Sequence, residues 1–278
     1  MYKRQPERTK AGPKLPPVIP LKDYNPTRRF PVVTLVLIAV NVGVYFFVQR
    51  PYEGGESTQA RFAYEVAAIP CEVVQGRPLS EDEVVATLRF DDESACEEGA
   101  PDEAVFPNKS VWLALLYSMF LHGGLLHLGG NMLFLWIFGN NIEDRMGVPG
   151  YIGFYLLAGL VASAAHILVQ PDSTVPVVGA SGAIAGVMGA YLVLFPNVKI
   201  RSLLILVILV LFRDIPAKWL LGFWFVTQFF TNPNEGVAWV AHVGGFVFGA
   251  LIALFLRDRL RPSRVPTLEP VPEPNPTW

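Results

Sequence analysis

Apolar runs separated by short polar breaks dominate the chain. Seven segments carry little or no charge: 30–48, 111–139, 150–170, 177–195, 200–212, 216–230 and 237–256. Several approach the roughly 18 residues needed to cross ~30 Å of hydrocarbon. They are apolar all round rather than along one stripe, unlike the helices of a soluble core. The pattern predicts an all-α polytopic membrane protein. The run 111–139 is too long for one crossing, and Gly123–Gly124 in "HGGLLH" breaks it. This gives an outer-loop end that dips into the membrane over 111–122 and a span near 125–140. The run 200–212, "IRSLLILVILVLF", is too short to span comfortably and has Lys199, Arg201, Arg213 and Lys218 at its ends. It reads as a re-entrant or interfacial excursion returning to the side it left; a seventh span is the alternative.

Composition agrees, with 52% hydrophobic and only 17% charged residues. The charges also orient the chain. Residues 1–29 hold eight Lys/Arg against two acids, and the insert 50–110 holds five against fourteen. Arg257, Arg259, Arg261 and Arg264 follow the last apolar run. Both ends are therefore expected in the cytoplasm of a plasma (inner) membrane and the insert outside. Ends on one side require an even number of crossings, so six spans are expected and a seventh would strand four arginines outside. The organisation is a basic Pro-rich segment 1–29, a transmembrane domain 30–257 with the acidic insert 50–110, and a disordered Pro-rich tail 258–278. The first span reads as a retained signal anchor. Cys71 and Cys96, the two cysteines, both lie in the insert. They can pair on an oxidising side or stay as two thiols.

Polar groups inside hydrocarbon are costly, so each needs a reason. His122, His127, His166 and His242 all fall toward the outer ends of apolar segments, and Asn131 shares a helix face with His127 by its i,i+4 spacing. Pro176 and Gly179 delay the fourth span until about Ser181, so the serine enters the membrane to a depth like that of His242. Gly182, Gly186 and Ala190 recur at four-residue intervals, as do Ala241, Gly245 and Gly249. Such faces let backbones approach closely, which a serine needs if an imidazole is to reach it. Each feature alone is compatible with plain packing.

At these residues the chain resembles the rhomboid family of intramembrane serine proteases. "GASG" (179–182), "AHVGG" (241–245), "HGGLLHLGGN" (122–131) and "EDR" (143–145) match its motifs in order, within a resemblance covering about 30 to 257. The resemblance implies a six-helix bundle and a Ser181–His242 catalytic dyad. It also implies Asn131, His127 and the Ser181 backbone N–H as oxyanion donors and single-span membrane proteins as substrates. Gly179 and Gly182 would let substrate backbone approach, and His122 and His166 are candidates to line a wet pocket. Neither a cofactor, a metal nor nucleic acid is expected. Two departures stand out: Ala185 occupies a position where the family often has an aromatic beside the histidine, and the insert is long. No Asp or Glu in the spans is placed to complete a triad. Glu143 and Arg145 read as a structural ion pair or helix cap. A pseudoprotease that binds helices without cutting them is an alternative. A metal site or transporter is a further one, though no HExxH and no two-fold repeat is present.

Overall fold

In hydrocarbon the chain must satisfy its own N–H and C=O groups, and uncharged runs therefore coil into helices. The computed structural model describes residues 18–52, 55–97, 103–206, 209–231 and 238–260. The basic leader up to residue 17 and the Pro-rich tail from 261 lie outside the described residues. Strand β1 (Val18–Asp23) precedes helix α1 (Val32–Gly43), which a π-helical turn continues to Gln49. The insert holds α2 (Glu56–Val66), α3 (Pro70–Gln75) and α4 (Glu81–Phe90). Then come α5 (Val111–Ser118), α6 (Leu125–Phe134) and, through a second π-helical stretch, α7 (Asn140–Val169). Helix α8 spans Ser181–Leu194. Strands β2 (Lys199–Leu206) and β3 (Leu209–Pro216) follow. Last are α9 (Ala217–Gln228), α10 (Trp239–Phe255) and α11 (Arg257–Leu260).

The apolar stretch Leu125–Val169 is 45 residues long. At 1.5 Å per residue that is about 68 Å, over twice the hydrocarbon thickness. It breaks at Gly147, whose φ of 71° is non-helical, so it holds the length of two crossings.

Helices α7, α8 and α10 pack as a close trio through small residues. A Cβ on Gly245 would overlap the carbonyl oxygen of Gly182, and one on Gly249 that of Gly186. On the other flank Ala162 and Ala158 of α7 press against Gly182 and Gly186. Large apolar side chains point outward instead, among them Phe47, Leu126, Trp219, Leu251 and Phe255. Such an apolar exterior suits lipid, where packing rather than water exclusion joins helices.

The run 200–212 corrects the all-α expectation. It forms most of a hairpin, β2 pairing antiparallel with β3 from Lys199↔Pro216 to Leu206↔Leu209, and β1 adds to β2 as a third strand. The run is too short for a helical crossing and rich in Leu, Ile and Val, and the ladder satisfies its backbone. The pairing of Lys199 with Pro216 keeps the entry and the exit of the run side by side.

Helix α1 starts after Pro31 with no side-chain cap of its own. Glu143 of α7 supplies one, accepting from the N–H groups of Val33 (2.9 Å) and Thr34 (2.8 Å) and from the Thr34 hydroxyl (2.8 Å). Arg145 stacks over the Phe195 ring instead, 5.3 Å from its centroid.

The insert is a folded cap. A disulfide joins Cys71 to Cys96, beside a small core of Tyr64, Ile69 and Leu79. Glu83 takes both guanidinium nitrogens of Arg77 (2.9 Å each) and the N–H groups of Ser80 and Glu97. Buried Glu72 pairs with Lys109 at 2.5 Å. The cap docks on the loop between α7 and α8. Cys71 N–H donates to Ser173 (3.0 Å), Val177 N–H to Ala68 (2.8 Å) and Thr174 N–H to Glu93 (2.9 Å).

Candidate active site

The approach to α8 bends at Gly179, whose φ of 131° is one that L side chains rarely adopt. Its N–H donates to the Ser118 carbonyl (2.9 Å). The bend delivers Ser181 as the first residue of α8, so its N–H is among the helix-start donors with no partner along the helix. The contact of Gly245 with Gly182 brings α10 alongside, and His242 Nε2 stands 2.8 Å from Ser181 Oγ.

His242 is held from its other side as well. Its Nδ1 lies 2.8 Å from Gln228 Oε1 on α9, and the Trp224 ring is tilted beside it with centroids 5.8 Å apart. The aromatic neighbour thus comes from α9, while Ala185 is wholly buried in the core of α8. Sequence reasoning missed Gln228. Its signal was a lone amide in an apolar run, one turn after Trp224, and nothing local ties it to a histidine in the next helix.

His127 accepts the Gly123 N–H at Nδ1 (3.2 Å). In a neutral imidazole this leaves the proton on Nε2, which becomes a donor. A Cβ on Gly179 would stand 3.0 Å from that Nε2 and 3.4 Å from Ser181 Oγ. The donor edge of His127 and the hydroxyl therefore flank one glycine. Asn131 follows one turn later, buried, and its side-chain nitrogen makes no hydrogen bond within the described residues.

A cavity of about 420 Å³ opens over Ser181, His242 and His127, with His166 and Glu93 also in its wall; Asn131 is not among its lining residues. His122 corrects the expectation that it lines the pocket. It is fully buried behind, its N–H bonded to Gln49 Oε1 (3.0 Å) and its ring edge-on to His127. Gly182 and Gly179 both border a second cavity of about 30 Å³ beside Ser181. Gly182 also packs on Ala162. For metal binding the donor set is poor. Both ring nitrogens of His242 are engaged, and the Cys71–Glu83–Cys96 cluster has its sulfurs tied in the disulfide.

The Rhomboid domain family model matches residues 109–259, more than half of the chain. The chain belongs to the rhomboid family. Membership carries a helical polytopic membrane fold. The rhomboid match starts at Lys109, so α1 and the disulfide-bonded cap precede it. The chain is 33% identical over 148 residues to the rhomboid protease GluP of Bacillus subtilis, covering 52% of this chain and 26% of that protein. It is 26% identical over 161 residues to rhomboid protein 1, mitochondrial, of Saccharomyces cerevisiae, 55% of this chain and 44% of that one. Against the human presenilin-associated rhomboid-like protein, mitochondrial, the figures are 27% over 172 residues, 58% and 42%. The chain thus spans less than half the length of these relatives.

Proposed function

We propose that this rhomboid is an intramembrane serine endopeptidase, cutting peptide bonds in or beside the transmembrane helix of single-span membrane proteins. The 2.8 Å approach of His242 Nε2 to Ser181 Oγ carries the reading. The naming of one relative as a protease supports it.

Ser181 Oγ attacks the substrate carbonyl while His242 Nε2 takes its proton. The oxyanion is met by the Ser181 N–H and His127 Nε2–H, with the Asn131 amide as a third donor. Collapse breaks the C–N bond, and His242 returns the proton to the leaving amine. Water from the 420 Å³ cavity then hydrolyses the acyl-enzyme, again with His242 as base. The 30 Å³ cavity beside Ser181 suits a small side chain before the cut. A substrate helix must unwind to reach the serine, so helix-breaking residues near the cut favour it.

We assign six crossings: α1, α6, the part of α7 after Gly147, α8, α9 and α10. Both termini then share one side, and their basic flanks make it the cytoplasmic one.

The test is reconstitution into liposomes with a single-span substrate. The parent is expected to cut at one position and its Ser181 to react with a mechanism-based serine probe, in the presence of a strong chelator. Ser181→Ala and His242→Ala are expected to be silent. A substrate bound but uncut, with Ser181 unlabelled, would make the protein a pseudoprotease. A Ser181→Ala variant as active as the parent would end the serine mechanism.

A further inference from the structure

We infer that Gln228 is a positioning residue that holds His242 in the tautomer able to act as a base. For Nε2 to accept the Ser181 proton it must carry a lone pair, so the neutral ring must carry its proton on Nδ1. Gln228 Oε1, 2.8 Å away, is the acceptor for that proton.

An amide can present either end, and here its orientation is decided. Gln228 Nε2 donates to the Trp224 carbonyl one turn back (3.0 Å). A carbonyl can only accept, so the oxygen of Gln228 is left facing the ring. The resulting relay runs from the α9 backbone through Gln228 and His242 to Ser181. Gln228 is buried, and leaving its partner unpaired there would be costly. An amide orients the ring as the acid of a triad would, without placing a charge in the bundle. Among the described residues, the other titratable groups near this ring are His127 of α6 and His166 of α7, with Glu93 of the cap in the lining of the same cavity.

The catalytic consequence rests on the proteolytic reading; the tautomer itself does not. The experiment compares the full-length parent, Gln228→Met and Gln228→Glu in liposomes. The methionine keeps length and loses the acceptor. It is expected to lower kcat by roughly 10-fold to 1,000-fold with KM little changed. The glutamate restores the acceptor and favours the protonated ring. It is expected to recover cleavage, with the acidic limb of kcat/KM moved to higher pH. In parallel, ¹⁵N spectra of histidine-labelled protein, assigned with His242→Ala, read the ring directly. The parent is expected to hold the proton on Nδ1, and Gln228→Met to show mixed tautomers. Unchanged kcat and an unchanged ¹⁵N pattern in Gln228→Met would overturn the inference, as would a pH limb unmoved in Gln228→Glu. A parent that cuts nothing, yet shows a Gln228-dependent Nδ1 proton, would sink the protease reading while leaving the positioning role standing.

Discussion

Gly249 of α10 lies directly on the carbonyl oxygen of Gly186 in α8, with no room for a Cβ between them. One turn earlier Gly245 meets Gly182 in the same way. Backbone touches backbone along this crossing, and its depth sets how far apart Ser181 and His242 stand.

Gly249→Ala is therefore expected to push α10 off α8. The obstruction is main chain rather than a flexible side-chain tip, so the cost should reach about 3 kcal/mol, the upper end for overpacking. Gly222→Ala on α9 is the control, because no atom of the described residues lies within 4 Å of a Cβ there. Thermal unfolding in detergent should show a lowered Tm for the first and an unchanged one for the second. Cleavage should fall in step with the first.

His127 tests the oxyanion assignment. Its Nδ1 is occupied by the Gly123 N–H, so its contribution is the Nε2–H. His127→Ala should reduce kcat about 10²- to 10³-fold with a small change in KM, as for loss of one oxyanion donor. A proportional rise in KM with kcat intact would reassign the residue to substrate binding.

Glu143 binds the start of α1 to the start of α7 through three hydrogen bonds. It lies sixteen positions beyond His127, about 24 Å along the helix path. Glu143→Gln keeps the shape and weakens charged hydrogen bonds worth about 1.5–3 kcal/mol each. A lower Tm is expected, with kcat per folded molecule unchanged.

Glu83 makes the cap acid-sensitive. Burial alone would raise its carboxyl. The Arg77 guanidinium, aided by the N–H groups of Glu97 and Ser80, outweighs that and holds the pKa at about 2, against 4.5 for a free group. A pKa lowered by folding means that the unfolded chain binds the proton more tightly. The stabilisation is therefore complete above about pH 4.5 and drains away as pH falls toward 2. Protection against hydrogen exchange across 55–97, taken relative to the intrinsic amide rate at each pH, should fall through that window in the parent. In Glu83→Gln, that protection should be low already at neutral pH and change less on acidification.

Much of the site could be read along the chain. The delay of α8 to Ser181 follows from Pro176 and Gly179, and the break before α6 from Gly123–Gly124. Both are local effects of residues that restrict or free the backbone. The small-residue spacing on α8 and α10 likewise announced a close crossing, since removing side chains is what permits one. The hairpin form of the run 200–212 was not legible, because a short apolar stretch has no periodicity that separates a buried helix from a hairpin. Its strand partner β1 lies far away in sequence.

By itself, then, the sequence determined the solvent of this protein, the breaks in its spans and which side chains carry a hydroxyl and an imidazole into the membrane, because hydropathy and backbone restriction act within a few residues. The tertiary structure alone decided that Gln228 faces His242, that Glu143 caps a helix begun 110 residues earlier and that the insert folds down beside the cavity. Those are hydrogen bonds between distant segments, and a polar side chain does not encode which of many possible partners the packed helices will bring to it.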